Sequence, residues 1–196
     1  MKRNIPAVLV AVMALALAAS AGTISGKVSG VAGESVVYVD AIAGKTFPAP
    51  AEHPVMDQKG LLFQPHLQVV LVGTTVDFLN SDKVAHNAFW PMFQHGAKKG
   101  PGKNLGTWPT GERRSFKFDQ AGVAPLLCNV HPEMSGYIVV VPTPYFAVTD
   151  KSGNYKIDNI PDGQYNVVGW HEGARNSSSQ AVSVAGEAQA DFTLSK

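Results

Sequence analysis

Beyond Ala21 the chain alternates short apolar runs with Gly, Pro, Asp and Asn punctuation. Val36–Val39, Leu67–Val72, Val76–Leu79, Ser115–Phe118 and Tyr137–Val141 each have the length and β-branched or aromatic content of a strand. Ser115–Phe118 alternates polar with apolar positions, the mark of a strand half buried on one face. After the N-terminal segment no stretch carries the 3.6-residue period of a long amphipathic helix. Repeated short strands separated by turn residues predict an all-β chain built as an antiparallel sandwich.

Pro142-Thr143-Pro144 interrupts this pattern, because two prolines so close cannot sit in a central strand. They predict a stiff hinge. A second set of strands follows: Tyr145–Val148, Asn154–Ile157, Tyr165–Val168 and Gln189–Leu194. Turns at Asp150-Lys151-Ser152-Gly153 and Pro161-Asp162-Gly163 separate them. The expected organisation is one sandwich over residues 22–141 and a smaller one over residues 144–196. A unit of about fifty residues is marginal for an independent core, so the second is expected to pack on the first. The alternative is a strand appendage of a single domain. Gln94–Thr110, rich in Gly, Lys and Pro, reads as a long solvated loop. Its lysines alternatively form a basic docking patch for an acidic partner.

The first residues have another character. Lys2 and Arg3 precede an apolar run from Ile5 to Ala18, and Ala19-Ser20-Ala21 supplies small residues before Gly22. This is the layout of a secretory signal over residues 1–21, and the run is short of the ~20 residues a membrane span needs. Export to the periplasm is therefore expected, with no membrane span once the signal is cleaved. Cleavage would remove Lys2 and Arg3 and leave 14 basic against 15 acidic residues, a formal −1. Nothing in so balanced a charge points to nucleic acid, and any functional charge must be local. The single cysteine, Cys128, has no partner for an intramolecular disulfide and lies too far from the signal for lipid attachment.

Candidate chemistry is concentrated in Cys128-Asn129-Val130-His131-Pro132-Glu133-Met134-Ser135-Gly136. It offers a thiolate, an imidazole and a thioether on one loop directly before the strand Tyr137–Val141. Pro132 and Gly136 restrict and permit backbone angles around Met134. A second imidazole must come from elsewhere. His86 follows the strong strand Val76–Leu79 through the turn Asn80–Ala85, and His95 is its rival. A thiolate, two imidazoles and a weak axial thioether suit a mononuclear type 1 (blue) copper. Zinc prefers four strong ligands, and iron–sulfur clusters need more cysteines. No ligand role falls on His53, His66 or His171.

These residues resemble the cupredoxins. Cys128-x2-His131-x2-Met134 with an upstream His86-Asn87 looks most like the amicyanin type, and Val72–Asn80 is similar to the strand that leads to the first ligand histidine in plastocyanin-like proteins. The resemblance covers roughly residues 60–141. It implies a cupredoxin-like Greek-key β-sandwich, with equatorial ligands His86, Cys128 and His131, axial Met134, and Asn87 tethering the cysteine loop. Asn129 stands where Ser or Thr is common in the family, and Val130 where proline is. Residues 145–170 resemble the carboxypeptidase regulatory-like, transthyretin-like β-sandwich, through Phe146-Ala147-Val148-Thr149-Asp150-x2-Gly153-x-Tyr155-x-Ile157-x2-Ile160-Pro161-x-Gly163-x-Tyr165.

The expected function is one-electron transfer between redox partners, without enzymatic activity, through transient contacts with a partner protein. The rivals are a copper carrier or storage protein, a copper enzyme with a further open metal site, and an envelope binding module in which copper is incidental. The histidines left over are scattered, which disfavours the enzyme.

Overall fold

A computed structural model describes residues 21–96 and 98–196, so all but the last residue of the segment read as an export signal lies outside the described residues. The described chain is all-β, and no helix in it is long and apolar enough to cross a membrane. In chain order, β1 (Ala21–Ser29) and β2 (Val36–Val39) come first. Then follow β3 (Val55–Gln58), β4 (Phe63–Gln64), β5 (Leu67–Leu71), β6 (Thr75–Asn80), β7 (His86–His95) and β8 (Lys98–Trp108). Next are β9 (Arg113–Lys117), β10 (Gly122–Leu127) and β11 (Ser135–Val141). The last six are β12 (Phe146–Val148), β13 (Asn154–Pro161), β14 (Gly163–Trp170), β15 (Ser178–Val184), β16 (Glu187–Gln189) and β17 (Phe192–Thr193).

β3–β11 form one sandwich. Its sheets run β4-β3-β6-β9 and β5-β11-β10-β7-β8. The pairs β3·β6 and β5·β11 are parallel, so the chain crosses between sheets instead of meandering within one, as a Greek-key sandwich requires. Inward-facing Met56, Val70, Val76, Phe78, Trp90, Leu126, Ile138 and Val140 fill the space between them. Around Trp90 the filling is aromatic: Phe116 meets it edge-on at 5.0 Å and Phe118 lies tilted at 5.5 Å between centroids.

The second sandwich is not the C-terminal segment alone. Its sheets are β13-β1-β16, extended by β17 on β1, and β12-β2-β14-β15. The boundary expected at Gly22 is thus corrected by the strand pairing. β1 pairs with β13, β16 and β17, and β2 lies between β12 and β14. The residues before about 40 and after about 143 make one core, which includes Ile24, Val37, Ile157, Val167 and Phe192, and the metal-loop sandwich is inserted between them. This also answers the size problem, since the smaller unit gains two strands. Pro142–Pro144 joins the units, but the buried Thr143 donates its hydroxyl to Val39 O at 2.7 Å, so the link is tied down on β2.

The sandwiches share a third apolar cluster. Val139 and Val141, on the outer face of β11, pack with Val36 of β2, and Tyr38, Val69, Phe146 and Trp170 close round them. This explains why Ile138–Val141 is an unbroken apolar run. β11 has a core on both faces, so the period-two alternation of a half-exposed strand is lost.

One further expectation changes. Gln94–Thr110 is not a loop: β7 and β8 form a long antiparallel hairpin from His86↔Trp108 to His95↔Lys98. β8 lies at a sheet edge, where Lys and Pro are tolerated that would weaken a central strand.

Candidate metal centre

The site is built where two strand connections meet at one end of the inserted sandwich. β6 ends in Asn80, whose buried side chain donates to Val84 O at 2.8 Å and Trp108 O at 3.1 Å and accepts from Asp82 N at 3.0 Å. Asn80 thereby shapes the turn that delivers His86 to the start of β7. The second connection is the loop between β10 and β11, closed at its base by the pair Leu127↔Ser135. Cys128 and Met134 are therefore the first and last residues of a loop pinned at both ends. Within it Met134 N donates to His131 O at 3.0 Å, a turn that Pro132 favours. Gly136 is required by close approach, not by its backbone angles. A Cβ there would stand 2.9 Å from Phe63 Cβ.

This brings His86, Cys128 and His131 together, with one ligand atom of each within 4.8 Å of the others. His86 Nδ1 is 3.0 Å from His131 Nδ1 and 4.0 Å from Cys128 Sγ. His86 and Cys128 are buried, and His131 is half-buried. Met134 is fully buried in the core cluster that also contains Cys128.

The shell around these atoms fixes their roles. His86 Nε2 lies 2.8 Å from Asp82 Oδ2. A carboxylate only accepts, so Nε2 carries the hydrogen and Nδ1 turns its lone pair toward His131 and Cys128. Burial opposes ionisation of Asp82. The backbone N–H groups of Leu61 and Gly60, with the His86 ring, outweigh it and hold the carboxyl below its usual range. Asn87 N–H donates to Cys128 Sγ at 3.4 Å. The Asn87 side-chain oxygen accepts from Asn129 N at 3.3 Å, and its amide donates to Asn104 Oδ1 and Gly106 O, both at 2.8 Å. The tether to the cysteine loop uses a backbone N–H, so it makes no demand on the side chain at position 129.

The His86 Nδ1 lone pair, a His131 ring nitrogen and the Cys128 sulfur converge within 4.8 Å of one another, with His86 and Cys128 buried. Such a donor set fits a soft or borderline cation. The other histidines are engaged elsewhere. His53 Nδ1 lies 3.2 Å from Asp77, His66 bridges Ser135 O and Glu172, and His171 is held by Ala32 O and Gly173 N. His95 ends the strand that His86 begins, roughly 30 Å along it, and its side chain lies outside the described part. Asp82 was missed by sequence reasoning. An acid four residues before His86 in a turn looks like a solvated one, and only its position beside Gly60 and Leu61 shows otherwise.

No protein-family model and no curated protein matches the chain. Among solved structures, a reduced variant of amicyanin is 25% identical over 46% of this chain and 84% of its own, with a TM-score of 0.40. An oxidised amicyanin variant is 26% identical over 45% and 81%, at 0.39. A copper-containing nitrite reductase from Thermus scotoductus SA-01 is 24% identical over 54% of this chain, which spans a quarter of the reductase, at 0.42. These scores lie below 0.5, and the reading of the site rests on its own geometry.

Proposed function

We propose that the chain is an exported, periplasmic electron carrier, not an enzyme, holding one type 1 copper through His86, Cys128 and His131 with Met134 as a weak axial ligand. The observation that carries this reading is the convergence of His86 Nδ1, His131 Nδ1 and Cys128 Sγ in a buried space. Copper bound there would supply a one-electron couple between its +1 and +2 states. The chain's own residues do the rest. Asp82 fixes the His86 ring, Asn87 N–H stabilises negative charge on the Cys128 sulfur, and the Leu127↔Ser135 pair holds both ends of the ligand loop. A frame clamped in this way resists rearrangement when its charge changes.

His131 is the half-exposed member of the set, and exposed apolar side chains surround this end of the molecule. Val130 (44% exposed) precedes it, Val84 lies in the turn before His86, and Leu61 and Leu62 (53%) belong to the loop that grips Asp82. This collar suits a small, short-lived contact with a redox protein. Titrating Cu(II) into the refolded protein tests the proposal. One equivalent should give an intense visible absorption that Cys128→Ser abolishes. A protein that stays colourless, or colour that survives the substitution, overturns it.

A further inference from the structure

β8 and β9 are each an edge strand of one sheet of the inserted sandwich. Lys103 Nζ sits 5.9 Å from the centre of the Phe116 ring, and Arg114 lies 5.6 Å from that of Trp108, so the edges face each other across the open flank. Between them is a cleft of about 380 Å³, in the range of small binding sites, with Phe93, Phe116, Phe118 and Pro101 among its walls. Cations rim it. Lys103 and Lys117 line the cleft, Lys98 and Lys99 line the hollow beside it, and Arg114 stands at its metal-site end. The local carboxylates are Glu112, paired with Arg114, and Asp119, paired with Lys117. Lys99 and Lys103 have no carboxylate partner among the described residues. Five cations against two carboxylates stand out in a chain close to neutral overall.

Three features therefore coincide on one flank: an unpaired strand edge, an apolar cleft alongside it, and a basic rim. Lysines on a sheet edge repel a second copy of the same edge and any neutral strand that would have to desolvate them. An acidic strand is not excluded by them. From this we infer that the β8–β9 flank binds an extended acidic segment of a partner protein, which lies along β8 and places one large apolar side chain in the aromatic cleft. Main-chain pairing would supply affinity, the cleft and the lysines would supply selectivity. The inference stands apart from the copper reading, since no residue of the flank belongs to the metal set.

A fluorescently labelled peptide of glutamates with one central phenylalanine tests it by anisotropy, with the full chain metal-free and copper-loaded. Binding should be the same in both forms and weaken steeply with added salt. The peptide with alanine at its centre should bind several-fold more weakly. The double variant Lys103→Glu, Lys117→Glu should lose about tenfold in affinity, whereas Lys45→Glu, Lys59→Glu, on other surfaces, should lose none. Amide shifts confined to β8 and β9 would place the peptide directly. Equal affinity of the phenylalanine and alanine peptides, or unchanged affinity in the double variant, overturns the inference. So does an absence of peptide binding with attachment of the chain to phosphatidylglycerol vesicles, which would make the flank a lipid-facing surface.

Discussion

Two aspartates do nearly the same local work in the two sandwiches. Asp82 accepts from the backbone N–H groups of Gly60 and Leu61, and Asp150 accepts from those of Ser152 and Asn154. Both are held ionised by that geometry. Asp150 closes its turn on itself, taking a further bond from the Asn154 side chain. Asp82 spends its remaining capacity on His86. The same contrast runs through the units as wholes. In the smaller sandwich buried polar groups finish in one another: Tyr155 OH on Ala190 O, Tyr165 OH on Pro161 O, His171 between Ala32 and Gly173. In the inserted sandwich three strong donor atoms are turned inward toward a common point. Atoms grouped in this way can share a cation as well as satisfy one another.

The largest expected effect breaks the comparison by separating the two units. Val36 is fully buried where the sandwiches meet, beside Val139 and Val141. Val36→Asp places an unpaired carboxylate there and is expected to cost roughly 3–5 kcal/mol. Because the buried charge sits at the seam between two cores, calorimetry should show one cooperative transition of the native chain resolving into two. A single transition merely lowered in temperature would mean that the units share one cooperative core.

A smaller effect sharpens the contrast between the aspartates. Asp82→Ala removes the acceptor that fixes the His86 tautomer. Loss of such a partner typically lowers metal affinity about 10–100-fold. Asp150→Ala removes an equally well-bonded carboxylate and should leave copper affinity unchanged. Competition with a copper chelator measures both. Equal losses in the two variants would show that Asp82 acts only through stability.

Much of this site was legible because its chemistry is local. Cys128, His131 and Met134 sit within seven residues, and the pinned loop that holds them leads into β11, the strand the pattern predicts as Tyr137–Val141, whereas β10 on its other side was not among the predicted strands. The strands themselves announced their apolar periodicity. Long-range partnership did not announce itself. β2 reads as a strand from Val36-Val37-Tyr38-Val39, but nothing in that run says that its neighbours are β12 and β14, more than a hundred residues on. β8 failed as a strand for the opposite reason. Its Gly, Lys and Pro residues have poor strand propensity, and the long pairing with β7 overrides it. Asp82 and Asn80 are ordinary turn residues by composition, and their roles exist only once His86 and Trp108 are in place.

The smallest expected effect lies at high pH and reports on the seam without altering it. Tyr38 faces the cluster between the sandwiches, and burial, helped by the nearby Asp40 charge, pushes its phenol up to about 12. The unfolded chain would ionise it near the usual value of about 10. A raised pKa means that the folded state favours the neutral phenol. This contribution to stability is fully present below about pH 10 and is lost as the pH climbs from there through about 12. Tyrosinate absorbance should therefore show a component near pH 12 whose amplitude Tyr38→Phe lowers by one tyrosine, while Tyr155, raised further by its own burial, still titrates late, and Asp40→Asn should move the Tyr38 component slightly downward. If Val36→Asp opens the seam, the Tyr38 component should fall toward the ordinary tyrosine range. A Tyr38 component that stays near pH 12 in that variant would show that Tyr38 is buried by the smaller sandwich alone.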